Sequence, residues 1–261
     1  MTNRSSEAPP PIGNGSVAVE CNGYAAGRGS GWVSFQGVTR GVTKGSKEGH
    51  HQLEVTKSGV EVVHFAKNKV GIHVVELEAI TKPKPKTAGA MEFKFVSSQT
   101  FNLYGNASGL TEKETGRWCK WVAKRPMGRI VAVCITDTAM AKTRPLKAEV
   151  YEALHDLGAD KSLRLIGYRE PFAFVGWKGL KQGKGVVGQD PKKQSKTLVR
   201  IETTVRKGTS NRDGTGLEFQ EVKQDEVKLL GALSAAKKKQ SQKKRAALPS
   251  PPLSPKKKKL G

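Results

Sequence analysis

Apolar and polar residues alternate in short runs through the first hundred residues, and glycine or polar turn residues bound each run. Alternation with a period of two places every second side chain on the same face of a strand. The pattern therefore predicts a strand-rich first half. The predicted strands cover residues 31–35, 52–55, 60–65, 71–77 and 91–96.

The pattern changes after residue 104, where helical spacing begins. Trp118, Trp121 and Val122 recur at intervals of three and four, which predicts a helix that starts near residue 111 and stops before Pro126. The segment 129–135, which is continuously apolar after Arg129, is typical of a fully buried strand. A second helix is predicted from the shared face of Val150, Leu154 and Leu157, with Gly158 as its C-terminal stop.

Further strand patterns complete the globular part of the chain. Residues 163–167 lead to an apolar run at 172–176, and a hairpin is predicted from 198–205 and 217–222 around a turn at 211–214. These patterns predict one α+β domain, rich in strands and flanked by two short helices, over residues 15–225, with β extensions at its N- and C-terminal ends. Residues 1–14 and 235–261 are predicted to be disordered because they hold few large apolar groups.

The charge of the chain adds a strong constraint. Lysine and arginine number 46 against 23 aspartate and glutamate, which gives a formal net charge of +23 and indicates an anionic partner. A second feature is a lysine-rich segment at 178–196 whose only acid is Asp190.

The end of the chain carries ten of the cations and no acid after residue 236. This basic tail is typical of a nuclear localisation signal or of a segment that binds nucleic acid, and a merely solubilising tail is the alternative. Ser250 and Ser254 each precede a proline and are candidate phosphorylation sites, whose negative charge would weaken such binding. The tail cations are Lys237, Lys238, Lys239, Lys243, Lys244, Arg245, Lys256, Lys257, Lys258 and Lys259.

Three cysteines allow one intrachain disulfide at most and exclude a disulfide framework, so we expect a reducing compartment. Cys119 and Cys134 are predicted to be buried thiols, and Cys21 is the candidate for exposure. The N-terminal residues hold no apolar run of signal-peptide length, and no run in the chain reaches the length of a membrane span. We therefore expect neither secretion through a signal peptide nor a membrane partner.

No enzyme signature is visible. The acidic residues show no two-metal pattern, and His50-His51, the one adjacent histidine pair, has no cysteine partners for zinc. The glycine-rich stretch at residues 27–31 resembles a phosphate loop but has no following helix, and flexible turns are the simpler interpretation. We expect a protein without catalytic activity, metal or cofactor.

The middle of the chain resembles the interleukin-like EMT inducer (ILEI, or PANDER-like) family over roughly residues 50–182. The resemblance implies a β-β-α module of two packed antiparallel sheets with short helices at the side. Members of that family include secreted cytokine-like proteins and the glycan-binding stem of a glycosyltransferase, which implies recognition rather than catalysis. The motifs that carry the resemblance are residues 71–77, 101–104, 128–133, 157–158 and, most specifically, 167–179.

In the glycan-binding members, a sugar is held by an aspartate after the central apolar strand and by the arginine of a Gly-aromatic-Arg turn. By resemblance these positions fall on Asp137 and Arg169, and Tyr168, Phe172 or Trp177 would supply an aromatic surface for the sugar ring. The alternative is structural: Asp137 would cap the loop after its strand, and Arg169 would pair with Glu170 or Asp137.

The chain departs from the family in ways that favour an intracellular branch. Cys21 stands alone where secreted members have paired cysteines, Asn102 replaces the usual aspartate, and Lys142 and Arg144 lie in the loop after Asp137. Two functional hypotheses result. One is a recognition module that binds a carbohydrate or protein ligand, with a basic tail for nuclear targeting or nucleic-acid association. The other is a nuclear DNA- or RNA-binding protein that uses its lysine-rich segments, with the ILEI-like fold as scaffold. We expect a nuclear location, with the cytoplasm as the alternative.

Overall fold

A computed structural model describes eleven strands and two helices in this protein. The described residues are 15–23, 29–37, 51–56, 59–65, 70–81, 91–104, 108–190, 197–208 and 215–229. The helices are α1 (Ser108–Ala123) and α2 (Ala148–His155). The strands are β1 (Ser16–Asn22), β2 (Gly31–Gln36), β3 (His51–Val55), β4 (Val60–Phe65), β5 (Ile72–Thr81), β6 (Met91–Phe101), β7 (Ile130–Ile135), β8 (Phe172–Trp177), β9 (Val186–Gln189), β10 (Thr197–Lys207) and β11 (Leu217–Leu229).

The strands form two antiparallel sheets, which confirms the predicted fold class. Sheet one has the order β11-β10-β1-β2-β4-β3, and sheet two has the order β6-β5-β7-β8-β9. Sheet one joins strands from both ends of the described chain, because β1 pairs with β10 in the register Val19↔Ile201. Sheet two consists of the central strands, with β7 in the middle between β5 and β8.

Sheet two is buried on both faces, which explains the continuous apolar runs of β7 and β8. On β7, Ile130, Ala132 and Cys134 pack against sheet one, whereas Val131 and Val133 pack toward the helices. The helices contribute apolar side chains that were predicted from their spacing, among them Trp118, Val122, Val150 and Leu154. The molecule is therefore a stack of sheet one, sheet two and a helical layer, with one core in each interface.

The structure differs from the sequence expectations at several elements. β1 and β9 were not predicted: in β1 the alternation of Val17, Val19 and Cys21 toward the core is short, and β9 is only four residues long. The segment 163–167 is not a strand, because side chains bind its backbone: the Tyr151 hydroxyl accepts from the N–H of Ile166 at 2.9 Å, and Gln189 Nε2 donates to the carbonyl of Arg164 at 3.1 Å.

The exposure of the cysteines also differs from expectation. Cys21 is completely buried between the sheets, since its side chain falls on the inward face of β1, while Cys119 on α1 is partly exposed. Cys134 is buried as predicted.

Some predictions fall on residues outside those described. These are the proposed disorder at 1–14 and 235–261, the hairpin turn at 211–214, and every cation and serine of the basic tail. Among the described residues, neither helix combines the length and apolar content needed to cross a lipid bilayer.

Candidate functional site

The candidate site lies where β7 ends, in a buried loop that starts at Thr136. Thr136, Asp137 and Thr138 are between 0% and 6% exposed. The Thr138 hydroxyl donates to the carbonyl of Met140 at 2.7 Å and accepts from its N–H at 3.2 Å, while the Thr138 carbonyl accepts from the N–H of Gly71 at 2.7 Å. These bonds fix the backbone on the C-terminal side of Asp137.

A tight turn before β8 supplies the second half of the site. Arg169 has a φ of 59°, and among the described residues no other non-glycine residue has a positive φ. An L side chain in this region is strained by roughly 1 kcal/mol or more, so the surrounding structure must hold it there.

The buried Glu170 carboxylate supplies that support. It is fully buried, and it accepts hydrogen bonds from the Gly167 N–H at 2.6 Å, from Arg164 Nη1 at 3.1 Å and from Arg164 Nη2. Arg164 Nη2 also donates to the carbonyl of Asp190 at 2.6 Å. The two ends of the turn are thereby tied to each other and to the residue that follows β9.

The loop and the turn bring Asp137 and Arg169 together. Arg169 Nε lies 3.9 Å from Asp137 Oδ1, and the backbone N–H of Arg169 donates to the Thr138 hydroxyl at 3.3 Å. The Arg169 guanidinium lies 5.2 Å from the centre of the Tyr168 ring, within range of a cation–π contact. An acid, a guanidinium and an aromatic ring thus share one surface position.

The electrostatic environment of Asp137 is unusual for an aspartate. Its side chain is 9% exposed against 39% for Arg169, and Oδ1 makes no hydrogen bond within the described part of the chain. Burial raises the pKa of the Asp137 carboxyl, and the Arg169 charge opposes this only in part. A buried acceptor without a hydrogen bond is costly to the folded state.

Gly29 from the β1–β2 connection packs directly on Asp137. It has a φ of +64°, and a Cβ at this position would lie 2.8 Å from the Asp137 Cβ. Only glycine fits this approach without displacement, so a turn of sheet one supports a carboxylate carried by sheet two. The sequence pattern of this glycine-rich stretch predicts a flexible turn and does not indicate the contact with Asp137.

Two of the predicted ligand-binding aromatics lie in the core instead. Phe172 and Trp177 are each 0% exposed. Phe172 faces the helical layer, and Trp177 faces sheet one, where its ring packs 4.5 Å from that of Phe219. A ligand on the surface cannot reach either ring, so we exclude both from the site, which retains the partly exposed Tyr168.

The structure also decides between the pairings considered for Arg169. Glu170 pairs with Arg164, and Arg169 lies beside Asp137. Arg164, Thr138 and Gly29 are supporting residues that sequence reasoning missed. Arg164 and Glu170 are six residues apart but lie in an irregular segment, where no periodicity brings them together, and Thr138 and Gly29 contact residues far along the chain. In the part of the chain that is described, no three His, Cys, Asp or Glu side chains converge as metal ligands would.

A cleft of about 440 Å³ lies at the other end of β7. Its lining includes Glu78, Met127, Arg129 and Lys207. Arg129 is engaged there by the carboxylates of Glu76 at 3.6 Å and Glu78 at 4.0 Å. The cleft is therefore separate from the Asp137–Arg169 position.

Comparison with known proteins agrees with this architecture. The family model described as "Interleukin-like EMT inducer" matches residues 70–180. A search of curated proteins gives no significant match. The matched region begins just before β5, ends just after β8, and includes Asp137, Tyr168 and Arg169. Residues 70–180 therefore form a domain similar to that of the interleukin-like EMT inducer family.

Proposed function

We propose that this protein is a non-catalytic recognition module that binds a carbohydrate or protein ligand at Asp137, Tyr168 and Arg169. The observation that carries the proposal is the buried Asp137 carboxylate, whose Oδ1 makes no hydrogen bond in the described structure, beside a half-exposed guanidinium. A site of this kind has an unfilled acceptor and a cationic donor next to each other.

A sugar satisfies these groups well. Neighbouring sugar hydroxyls each donate and accept, so one can donate to the Asp137 carboxylate while the next accepts from Arg169. Tyr168 can cover part of the apolar face of a sugar ring. The surface position of Arg169 and Tyr168 leaves room for a residue within a longer glycan or for a polar segment of a protein.

The carboxylates support recognition rather than hydrolysis. A glycoside hydrolase needs two carboxyl groups on opposite sides of the bond that is cleaved. The one acidic side chain in the 167–170 turn is Glu170, which is fully buried and bound by Arg164 and Gly167. We therefore assign to Glu170 the role of holding the turn.

A glycan array followed by titration of each hit tests the proposal. We expect Asp137→Asn and Arg169→Ala to lower affinity by roughly tenfold or more, the loss that follows from one charge-assisted hydrogen bond of about 1.5–3 kcal/mol. Asp156→Asn and Arg206→Ala are matched controls, because both remove charges that are exposed and paired elsewhere. Wild-type affinity in the two site variants would contradict the proposal, as would a screen in which no glycan or protein ligand binds.

The charge distribution favours a second candidate function, association with nucleic acid in the nucleus. The chain carries +23 overall, and the basic tail contributes ten cations without an acid. Lysines that neutralise phosphates release counterions, so affinity would fall steeply with salt and depend little on sequence.

This candidate is tested with the full chain and with a variant in which all ten tail cations are glutamine. Binding to labelled DNA and RNA is measured across a salt series, and fluorescent fusions of both proteins report nuclear import. We expect the variant to lose most of the salt-dependent affinity and the nuclear accumulation. Equal binding and equal import by both proteins would contradict a role of the tail.

A further inference from the structure

Two buried cysteines face each other between the sheets. Cys21 is the penultimate residue of β1 in sheet one, and Cys134 is the penultimate residue of β7 in sheet two. Both side chains are 0% exposed, and both belong to the core between the sheets. Each is present as a free thiol.

The thiols lie where the two sheets approach closely. The Cys134 thiol donates to the carbonyl of Glu20 at 3.5 Å, and the Cys21 thiol donates to the carbonyl of Phe172 at 3.1 Å. Each sulfur therefore touches the backbone of the opposite sheet, whereas facing sheets usually pack roughly 10 Å apart.

A glycine allows this approach. A Cβ on Gly31, which pairs with Cys21, would lie 2.7 Å from Cys134 Sγ and 2.6 Å from Thr136 Cγ2. The two thiols also interact with each other directly, and this contact adds to burial in raising the pKa of Cys134 well above its ordinary value.

We propose that Cys21 and Cys134 are an oxidisable pair that forms a disulfide between the two sheets by exchange with a small-molecule disulfide. During refolding, before the core closes over them, the thiolate of one cysteine attacks a sulfur of the small disulfide and releases one small thiol, which carries away the cysteine proton. The second cysteine then attacks the mixed disulfide and releases a second small thiol. Two cysteine thiols are thus oxidised by two electrons, and one small disulfide is reduced to two thiols.

The position of the pair sets its effect. Cys134 precedes Asp137 by three residues on the same segment, and Cys21 lies close to the connection that carries Gly29. The disulfide would join residues far apart along the chain, which favours the folded state by restricting the unfolded chain. It would tie sheet one to the strand that presents Asp137. The protein would then hold two free thiols in a reducing compartment and the disulfide between the sheets in an oxidising one.

Cys119 provides the internal control. It lies on α1, on the helical side of sheet two, where its thiol donates to the carbonyl of Glu149 at 3.3 Å. Sheet two separates it from Cys21. Its partly exposed position makes it the thiol that reacts singly with a disulfide reagent.

The experiment uses the full chain, refolded from denaturant in a buffer of reduced and oxidised glutathione. Free thiols are then blocked, and peptides are mapped by mass spectrometry without reduction. We expect a linked pair of peptides that contain Cys21 and Cys134, in the wild type and in Cys119→Ala alike. We also expect the unfolding temperature of the wild type to rise on oxidation and that of Cys21→Ala to stay constant.

The proposal is overturned if the refolded wild type keeps both cysteines as blocked thiols or single glutathione adducts. It is also overturned if the linked peptides include Cys119. The peptide map of the wild type decides the question even where Cys21→Ala or Cys134→Ala fails to fold.

Discussion

Replacing Glu170 by glutamine removes one negative charge from the centre of the turn that holds Arg169, with almost no change of shape. The wild-type carboxylate is fully buried and accepts three hydrogen bonds, two from Arg164 and one from the N–H of Gly167. Glutamine offers one acceptor oxygen, and its NH₂ group must point at a donor. At least one of these three bonds is therefore replaced by a contact between two donors.

The magnitude depends on how much of the pair water can reach. Removing one partner of a buried ion pair costs about 3–5 kcal/mol, because the other charge stays buried and uncompensated. Arg164 is 29% exposed, so water can solvate part of its guanidinium, and we expect the lower end of that range. A loss of about 3 kcal/mol corresponds to a fall of roughly 6–12 °C in the unfolding temperature of a domain of this size.

Thermal and urea unfolding of Glu170→Gln, Arg164→Met and the double variant measure the effect. We expect each single variant to be strongly destabilised and the double variant to lose less than the two losses together, since removing both partners leaves no buried charge. Glu152→Gln is the control: its side chain is 76% exposed, and the change should stay within about 0.5 kcal/mol.

A fall of less than about 2 °C for Glu170→Gln, which is below 1 kcal/mol for this size, would refute the reasoning. Strictly additive losses in the double variant would refute it as well. Either result would mean that the Arg164–Glu170 pair does not hold the turn.

The remaining predictions concern Asp137 and the glycines. Burial raises the pKa of Asp137 above its ordinary 3.8, so the folded protein binds this proton more tightly than the unfolded chain, and stability falls as pH rises through the interval between the two pKa values. Asp137→Asn should abolish that slope and be more stable than the wild type at neutral pH. Urea unfolding from acidic to neutral pH measures the slopes, and equal slopes in the two proteins would contradict the prediction. Gly29→Ala should lower stability by about 1–3 kcal/mol and weaken ligand binding, because its Cβ would lie 2.8 Å from that of Asp137 at a φ of +64°. Gly116→Ala on α1, where nothing lies within 4 Å of the new Cβ, should instead raise stability by about 0.5–1 kcal/mol. Thermal unfolding of both variants tests whether the change in stability is negative for Gly29→Ala and positive for Gly116→Ala.

Local patterns predicted the elements whose side chains follow one clear period. Two predicted elements correspond to observed ones: the helix predicted from the spacing of Trp118, Trp121 and Val122, and the strand predicted from the continuous apolar run of β7. Burial of one face of a helix requires apolar residues at helical spacing, and burial of both faces of a strand requires a continuous apolar run. The sequence pattern of β1 is a weaker indication of a strand, and its pairing with β2 and β10 defines it as one in the structure.

The site could be predicted only in part. The family resemblance indicated Asp137 and Arg169, and the structure brings them to 3.9 Å. The inward positions of Phe172 and Trp177 depend on β8 being buried on both faces, which neither residue reveals alone. The Arg164–Glu170 pair and the contact of Gly29 with Asp137 depend on three-dimensional packing, and no spacing in the sequence encodes them.

The pairing of β1 with β10 has a consequence for how the chain folds during synthesis. The domain at residues 70–180 buries one face of sheet two only when sheet one covers it, and sheet one is complete only after β10 and β11 have left the ribosome. β1 can pair early with β2, but its other neighbour in the sheet, β10, is synthesised about 180 residues later. Such long-range pairing is slow and leaves apolar surface exposed in the meantime. We therefore expect nascent chains that end before β10 to bind molecular chaperones, and released full-length chains to be free of them.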